Sequence, residues 1–132
     1  MKKLSSAALL LALAALTTSA SATWTHKLSV FAPAVKGSTT GVASVTIETA
    51  ADYTIDTEQP PRVSVITPEG IVIEKVRQAP MKPEGTMTEL EIEFTAAKKG
   101  RHALAATVDF TVCTKRYCEP AHEMIAFDID VQ

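Results

Sequence analysis

The chain has 132 residues, with 13 basic and 15 acidic side chains and a formal charge of −2. That balance argues against the broad basic face that phosphate binding requires, so a nucleic-acid partner is not expected. Only two cysteines and three histidines are present, which confines metal or thiol chemistry to a small part of the sequence.

The chain opens on Met1-Lys2-Lys3, continues with an unbroken apolar run of ten residues from Ala7 to Leu16, and reaches Ala20-Ser21-Ala22, a small-x-small cleavage pattern. That order predicts a secretory signal peptide over residues 1–22. The run is shorter than the ~20 apolar residues that span a bilayer. The mature chain, residues 23–132, is therefore expected to form one domain with no membrane insertion once the signal is removed. Without Lys2 and Lys3 it holds 11 cations against 15 carboxylates, a formal charge of −4. A secreted or periplasmic location also sets the redox compartment, in which two cysteines are able to pair.

From Thr23 onward the recurring pattern is short apolar alternation broken by Pro and Gly, rich in Thr, Val and Ile. Leu28 to Phe31 reads as a first strand stopped by Pro33, and Lys36 to Gly41 as a turn. A strand follows over 42–50, then a short extended piece at Tyr53-Thr-Ile-Asp56. Arg62 to Thr67 is the next strand, Pro68-Glu-Gly70 the next turn, and Ile71 to Glu74 extends again. Gln78 to Thr86, with two prolines and a glycine, predicts a surface loop. Leu90, Ile92 and Phe94 alternate with Glu89, Glu91, Glu93 and Thr95, the clearest half-buried strand in the chain. Lys98 to His102 reads as a basic, solvated turn. Ala103 to Val112 and Met124 to Val131 are the last two strands. The expectation is an all-β, immunoglobulin-like antiparallel β-sandwich of about seven or eight strands.

The chemically capable side chains gather in Val108-Asp-Phe-Thr-Val-Cys113-Thr-Lys-Arg-Tyr-Cys118-Glu-Pro-Ala-His122. Parity puts Val108, Phe110 and Val112 on one strand face and Asp109, Thr111 and Cys113 on the other. The sulfurs are thus expected outside the sandwich core, unlike an inter-sheet disulfide of the antibody type. Closing a ring of six residues stabilises by about 2 kcal/mol in the chain-entropy account, a modest reason for a staple. Lys115 and Arg116 lie between the cysteines and favour a thiolate, the attacking form in exchange, while Glu119 opposes them. Tyr117 offers a shield or contact surface for Cys118, Pro120 a rigid exit from the loop, and His122 a hydrogen-bond donor or base toward a sulfur.

Cys113-x4-Cys118-x-Pro120, in the hairpin before the last strand, resembles the N-terminal periplasmic domain of DsbD-type thiol:disulfide interchange proteins. Tyr53-Thr-Ile-Asp56, Pro60, and the Val-Ser-Val strand leading to Pro68-Glu-Gly70 are similar to that family as well, so the resemblance covers most of residues 40–131. It implies an immunoglobulin-like fold whose cysteine pair shuttles between dithiol and disulfide, with thioredoxin-like or other periplasmic redox proteins as partners and no cofactor. It also implies that Cys118 forms the mixed disulfide, that Cys113 resolves it, and that a cap loop covers the sulfurs; the candidate loop is Gln78–Thr86, with Met81 as the cover. The family domain has one more residue between its cysteines and is fused to a membrane domain and a thioredoxin domain. A free-standing module with a separate electron donor is expected here.

Two other readings stand beside this one. Cys113, Cys118, His122 and Met124 are soft ligands at close spacing, suited to copper. They resemble the dinuclear copper loop of cytochrome oxidase subunits, with the Cys–Cys and His–Met spacings each off by one. Parity turns Met124 outward, near Cys113, as a weak surface copper site would need. His26 and His102 are poorly placed to complete it. The third reading is a non-catalytic interaction domain with a structural disulfide. No Gly-x-Ser-x-Gly elbow supports hydrolase chemistry.

Overall fold

Alternating apolar residues that must leave water on one face only build sheets, and two such sheets bury each other. The computed structural model describes residues 24–78 and 86–132. The expected signal peptide lies outside the described residues, as do positions 79–85 of the expected cap loop, Met81 among them. Eight strands are present among the described residues: β1 (His26–Phe31), β2 (Thr39–Thr49), β3 (Thr54–Ile55), β4 (Arg62–Ile66), β5 (Ile71–Gln78), β6 (Met87–Ala96), β7 (Gly100–Cys113) and β8 (Cys118–Val131). They form two four-stranded antiparallel sheets. The first runs β1-β2-β6-β5; in the second, β7 is central, with β3 and β4 along one flank and β8 along the other. The fold is a β-sandwich.

The core is what parity dictates. Val45 and Ile47 of β2 and Leu90, Ile92 and Phe94 of β6 meet Leu104, Val108, Phe110 and Val112 of β7 and Ile129 and Val131 of β8. The Val35 and Phe94 side chains fill the space over Gly41 of β2, where a methyl group would lie 2.5 Å from Val35 Cγ1 and 2.7 Å from Phe94 Cζ. In β5 a bulge between Ile73 and Lys75 shifts the alternation. Arg77 then stands outward, 3.7 Å from Glu91 and 3.5 Å from Glu93.

Several expectations change. β2 already begins at Thr39, so the expected turn Lys36 to Gly41 ends sooner, and β5 continues past Glu74 to Gln78. The basic stretch Lys98 to His102 is only half a turn. Gly100 takes a positive φ of 118° and opens β7, so Arg101 and His102 are strand residues opposite Asp130 and Ile129. The last strand begins at Cys118 rather than at Met124, because β8 pairs with the whole length of β7. Pro120 is therefore inside a strand and not at a loop exit. The hairpin closes with Thr114 N–H donating to Tyr117 O, so alternation makes Cys113–Cys118 and Thr111–Pro120 non-hydrogen-bonded pairs. The proline nitrogen then faces the free edge, where no N–H is needed.

Glu123 shares the inward face of Ile125 and Phe127, at the open side of the sandwich where its side chain keeps 44% exposure. Its partner comes from the other sheet: His26 Nε2 lies 2.9 Å from Glu123 Oε1, and Thr25 Oγ1 lies 2.8 Å from His26 Nδ1. The His26 ring meets Phe110 edge-on, with centroids 4.9 Å apart. This contact ties edge strand β1 to edge strand β8 across the open side of the sandwich.

Candidate functional site

The hairpin of β7 and β8 places the two cysteines directly opposite each other at the end of the second sheet. They are joined in a disulfide, with a Cα–Cα distance of 4.0 Å, in keeping with the close approach of a non-hydrogen-bonded pair. Both lie on the outer face, as Val108, Phe110 and Val112 occupy the inner one. The two sulfurs are not equivalent in their surroundings. Cys113 is half-buried and has a strand on each side, with Thr54 of β3 opposite it on one flank and Cys118 on the other. Cys118 is exposed and belongs to the edge strand.

Lys115 and Arg116 form the tip. Neither has a positive φ, so the turn is not one of the primed types that usually close two-residue hairpins. The Thr114 hydroxyl compensates by accepting the N–H groups of Arg116 and Tyr117, both at 3.2 Å. Around this tip a shallow cavity of about 370 Å³ is lined by Asp52, Thr114, Lys115, Arg116 and Tyr117. Tyr117 is 55% exposed, and its phenol lies beside that of Tyr53, the residue before β3. The hydrogen bond with Tyr117 is the main cause that raises Tyr53 above the ordinary tyrosine value of 10.0, followed by the Tyr117 charge, partial desolvation, and the carboxylates Glu119 and Asp52.

A raised tyrosine pKa keeps the neutral phenol in the folded state. Its contribution to stability is intact below the unfolded value of 10.0 and is lost as pH rises through the raised one. In an alkaline titration followed by tyrosinate absorbance, one phenol is expected to ionise above the ordinary value. Tyr117→Phe should bring that midpoint back down; an unmoved midpoint would show that the two rings do not interact.

A second groove, of about 560 Å³, runs along the outer face from Thr111 and Pro120, two residues from the cystine, to Arg62, Asp109 and His122. The segment Glu58–Pro60 forms one wall. His122 is hydrogen-bonded through Nδ1 to Asp109 Oδ1, so its ring is held across the β7–β8 ladder and does not serve a sulfur. It stands four residues from Cys118, about 13 Å along an extended strand.

Met124 is opposite Thr107, six residues from the Cys113–Cys118 rung, or about 20 Å. It points outward as expected and is not near Cys113. The copper ligand set of Cys113, Cys118, His122 and Met124 is thus not brought together. Its sulfurs are bonded to each other and its imidazole to a carboxylate. His102 Nε2 is engaged with Lys98 O at 2.8 Å. No group of three or more His, Cys, Asp or Glu among the described residues is arranged to hold a metal ion.

Of the residues singled out by sequence, the structure gathers Cys113, Cys118, Lys115, Arg116 and Tyr117 at one end, with Pro120 two residues along. Asp52, Tyr53, Thr54 and Thr114 are additions. Tyr53 and Thr54 arrive only through the pairing of β3 with β7, a contact between positions almost sixty residues apart. Fold and site together define a disulfide-bonded all-β domain. The chain matches no family model, no curated protein and no solved structure with which it was compared.

Proposed function

We propose that this domain is a thiol:disulfide exchange module, passing electrons through Cys113 and Cys118 to or from partner proteins outside the cytoplasm. The observation that carries the reading is the position of the cystine. It lies on the outer face, at the end of a hairpin whose strands are already paired along their full length, with one sulfur exposed on an edge strand. A bond placed there adds little to a ladder that closes without it. An attacking thiolate can, however, reach it.

In the outgoing direction the roles are as follows. The Cys118 thiolate attacks a partner disulfide, forming a mixed disulfide and releasing one partner thiolate. Cys113 then attacks Cys118 Sγ, which restores the cystine and releases the second partner thiol, so two electrons pass to the partner. Lys115 and Arg116 favour the thiolate that begins the step. The sandwich, on this reading, is of the immunoglobulin-like type of the DsbD N-terminal domain, and the N-terminal segment is a cleaved signal that delivers it to the periplasm.

The test is the reduction potential of the pair, measured by equilibration with a thiol buffer. A shuttle is expected to lie in the range of exchangeable pairs, about −270 to −120 mV. A value below about −300 mV marks an inert structural bond and rejects the reading.

A further inference from the structure

The two sheets present unlike surfaces to solvent. The outer face of the first is ionic, with Glu91 and Glu93 of β6 beside Arg77 of β5. The outer face of the second, read away from the cystine, passes one ionic row, is uncharged for two rows, and turns ionic again at Asp128, 3.5 Å from Arg101. Ser64, Thr107 and Met124 form one row, and Ile66, Ala105 and Ala126 the next. Ile66 is 67% exposed and Met124 69%. Single exposed apolar residues need no explanation. These two flank the central strand, over a floor of alanine and threonine side chains, and a groove of about 430 Å³ opens beside Ile66.

The ionic row is Arg62, Asp109 and His122. Asp109 is taken by His122, and Arg62 makes no ion pair among the described residues.

Size indicates what kind of occupant this face suits. From Cys113 to Ala105 is eight residues of β7, about 26 Å, and three strands are about 14 Å wide, so the stripe covers on the order of 400 Å². That is about half of one side of a standard stable interface, and it falls in the range of weak redox encounters. It is too small for a stable dimer of this chain and suits a partner that docks, exchanges and leaves. The stripe is continuous with the cystine, so a protein lying on it has its own sulfur at Cys118.

We infer that this stripe is the docking face for a partner thiol protein with a carboxylate within reach of Arg62 and, about 20 Å from its reactive cysteine, an apolar surface that meets Ile66 and Met124. The inference rests on the thiol-exchange reading. In the incoming direction the partner thiolate attacks Cys118 Sγ. A partner–Cys118 disulfide forms, the Cys113–Cys118 bond breaks, and its electron pair leaves on Cys113, which takes a proton from water. A second partner thiolate then attacks the partner's own sulfur and frees Cys118. The partner departs as a disulfide and the domain is left as a dithiol.

The experiment compares wild type with the double variant Ile66→Glu, Met124→Glu. Oxidised protein is reduced by dithiothreitol, which needs no docking face, and separately by reduced thioredoxin. Wild type is expected to react with thioredoxin faster than with dithiothreitol at equal thiol concentration. The variant should lose about tenfold of the thioredoxin rate and none of the dithiothreitol rate, since an interface anchor and not the sulfur chemistry has been changed. If the glutamates prevent folding, the serine pair at the same positions carries the comparison.

A thioredoxin rate that the variant leaves unchanged overturns the docking face, as does a wild type that thioredoxin reduces no faster than dithiothreitol does. A cystine that neither reagent opens overturns the exchange reading beneath it. Concentration-dependent dimerisation of the wild type, abolished in the variant, would assign the stripe to a second copy and also reject the inference.

Discussion

Cys113→Ser is expected, on the proposed exchange reading, to convert the domain from a catalyst of exchange into a trap. With serine at 113, the Cys118 thiolate can still attack a partner sulfur, but nothing remains to resolve the product. Turnover between a dithiol donor and a disulfide acceptor should fall to background, and a mixed disulfide through Cys118 should accumulate. The reciprocal variant, Cys118→Ser, leaves the half-buried thiol flanked by β3 and β8. Access and thiolate character together set exchange rates, so its capture of a partner is expected to be slower by about tenfold. The measurement uses a thioredoxin with a single active-site cysteine, activated as its thionitrobenzoate disulfide, and follows release of the coloured thiolate. Equal rates for the two variants, or a faster Cys118→Ser, would reverse the assigned roles. Both variants lose the same covalent bond, so a difference between them reports the position of the remaining sulfur and not a change in stability.

How far this arrangement is legible in the sequence depends on the distance over which each part is determined. Strict alternation in Leu90, Ile92 and Phe94, and in Val108, Phe110 and Val112, is a local property. It was sufficient to place the core and to turn the cysteines outward. The first half of β8 was hidden because Cys118 to Glu123 is polar or conformationally restricted at nearly every position. Those residues are extended because β7 is long enough to pair them, and pairing is not visible in a window of six. Glu123 carried a readable signal, a carboxylate on the inward face of Ile125 and Phe127, which calls for a partner. The identity of that partner, His26, required knowing that β1 and β8 border the same opening. Tyr53 reaches Tyr117 through a two-residue strand, too short to announce itself by period. The supposed proximity of Met124 to Cys113 failed on register: they share a face, but six rungs separate them.

Phe94→Ala is expected to cost far more stability than loss of the cystine, and the comparison bears directly on function. Phe94 is fully buried, packs within the core shared by both sheets, and its ring fills the space over Gly41. Removing a buried phenylalanine ring typically costs about 3–5 kcal/mol, as transfer energy and cavity combine. Opening the cystine releases a ring of six residues, about 2 kcal/mol at most by chain entropy, in a hairpin that retains its ladder and the Thr114–Tyr117 closure. In urea unfolding, the reduced wild type should therefore remain folded with a modestly lower midpoint, and oxidised Phe94→Ala should unfold well below it. This order is what an exchange protein requires. A domain that alternates between dithiol and disulfide must keep its shape in both states, which it can do only if apolar packing supplies the stability and the sulfurs do not. Should reduction alone unfold the protein, the cystine would be a structural staple, and the exchange role would fail on thermodynamic grounds before any partner was tested.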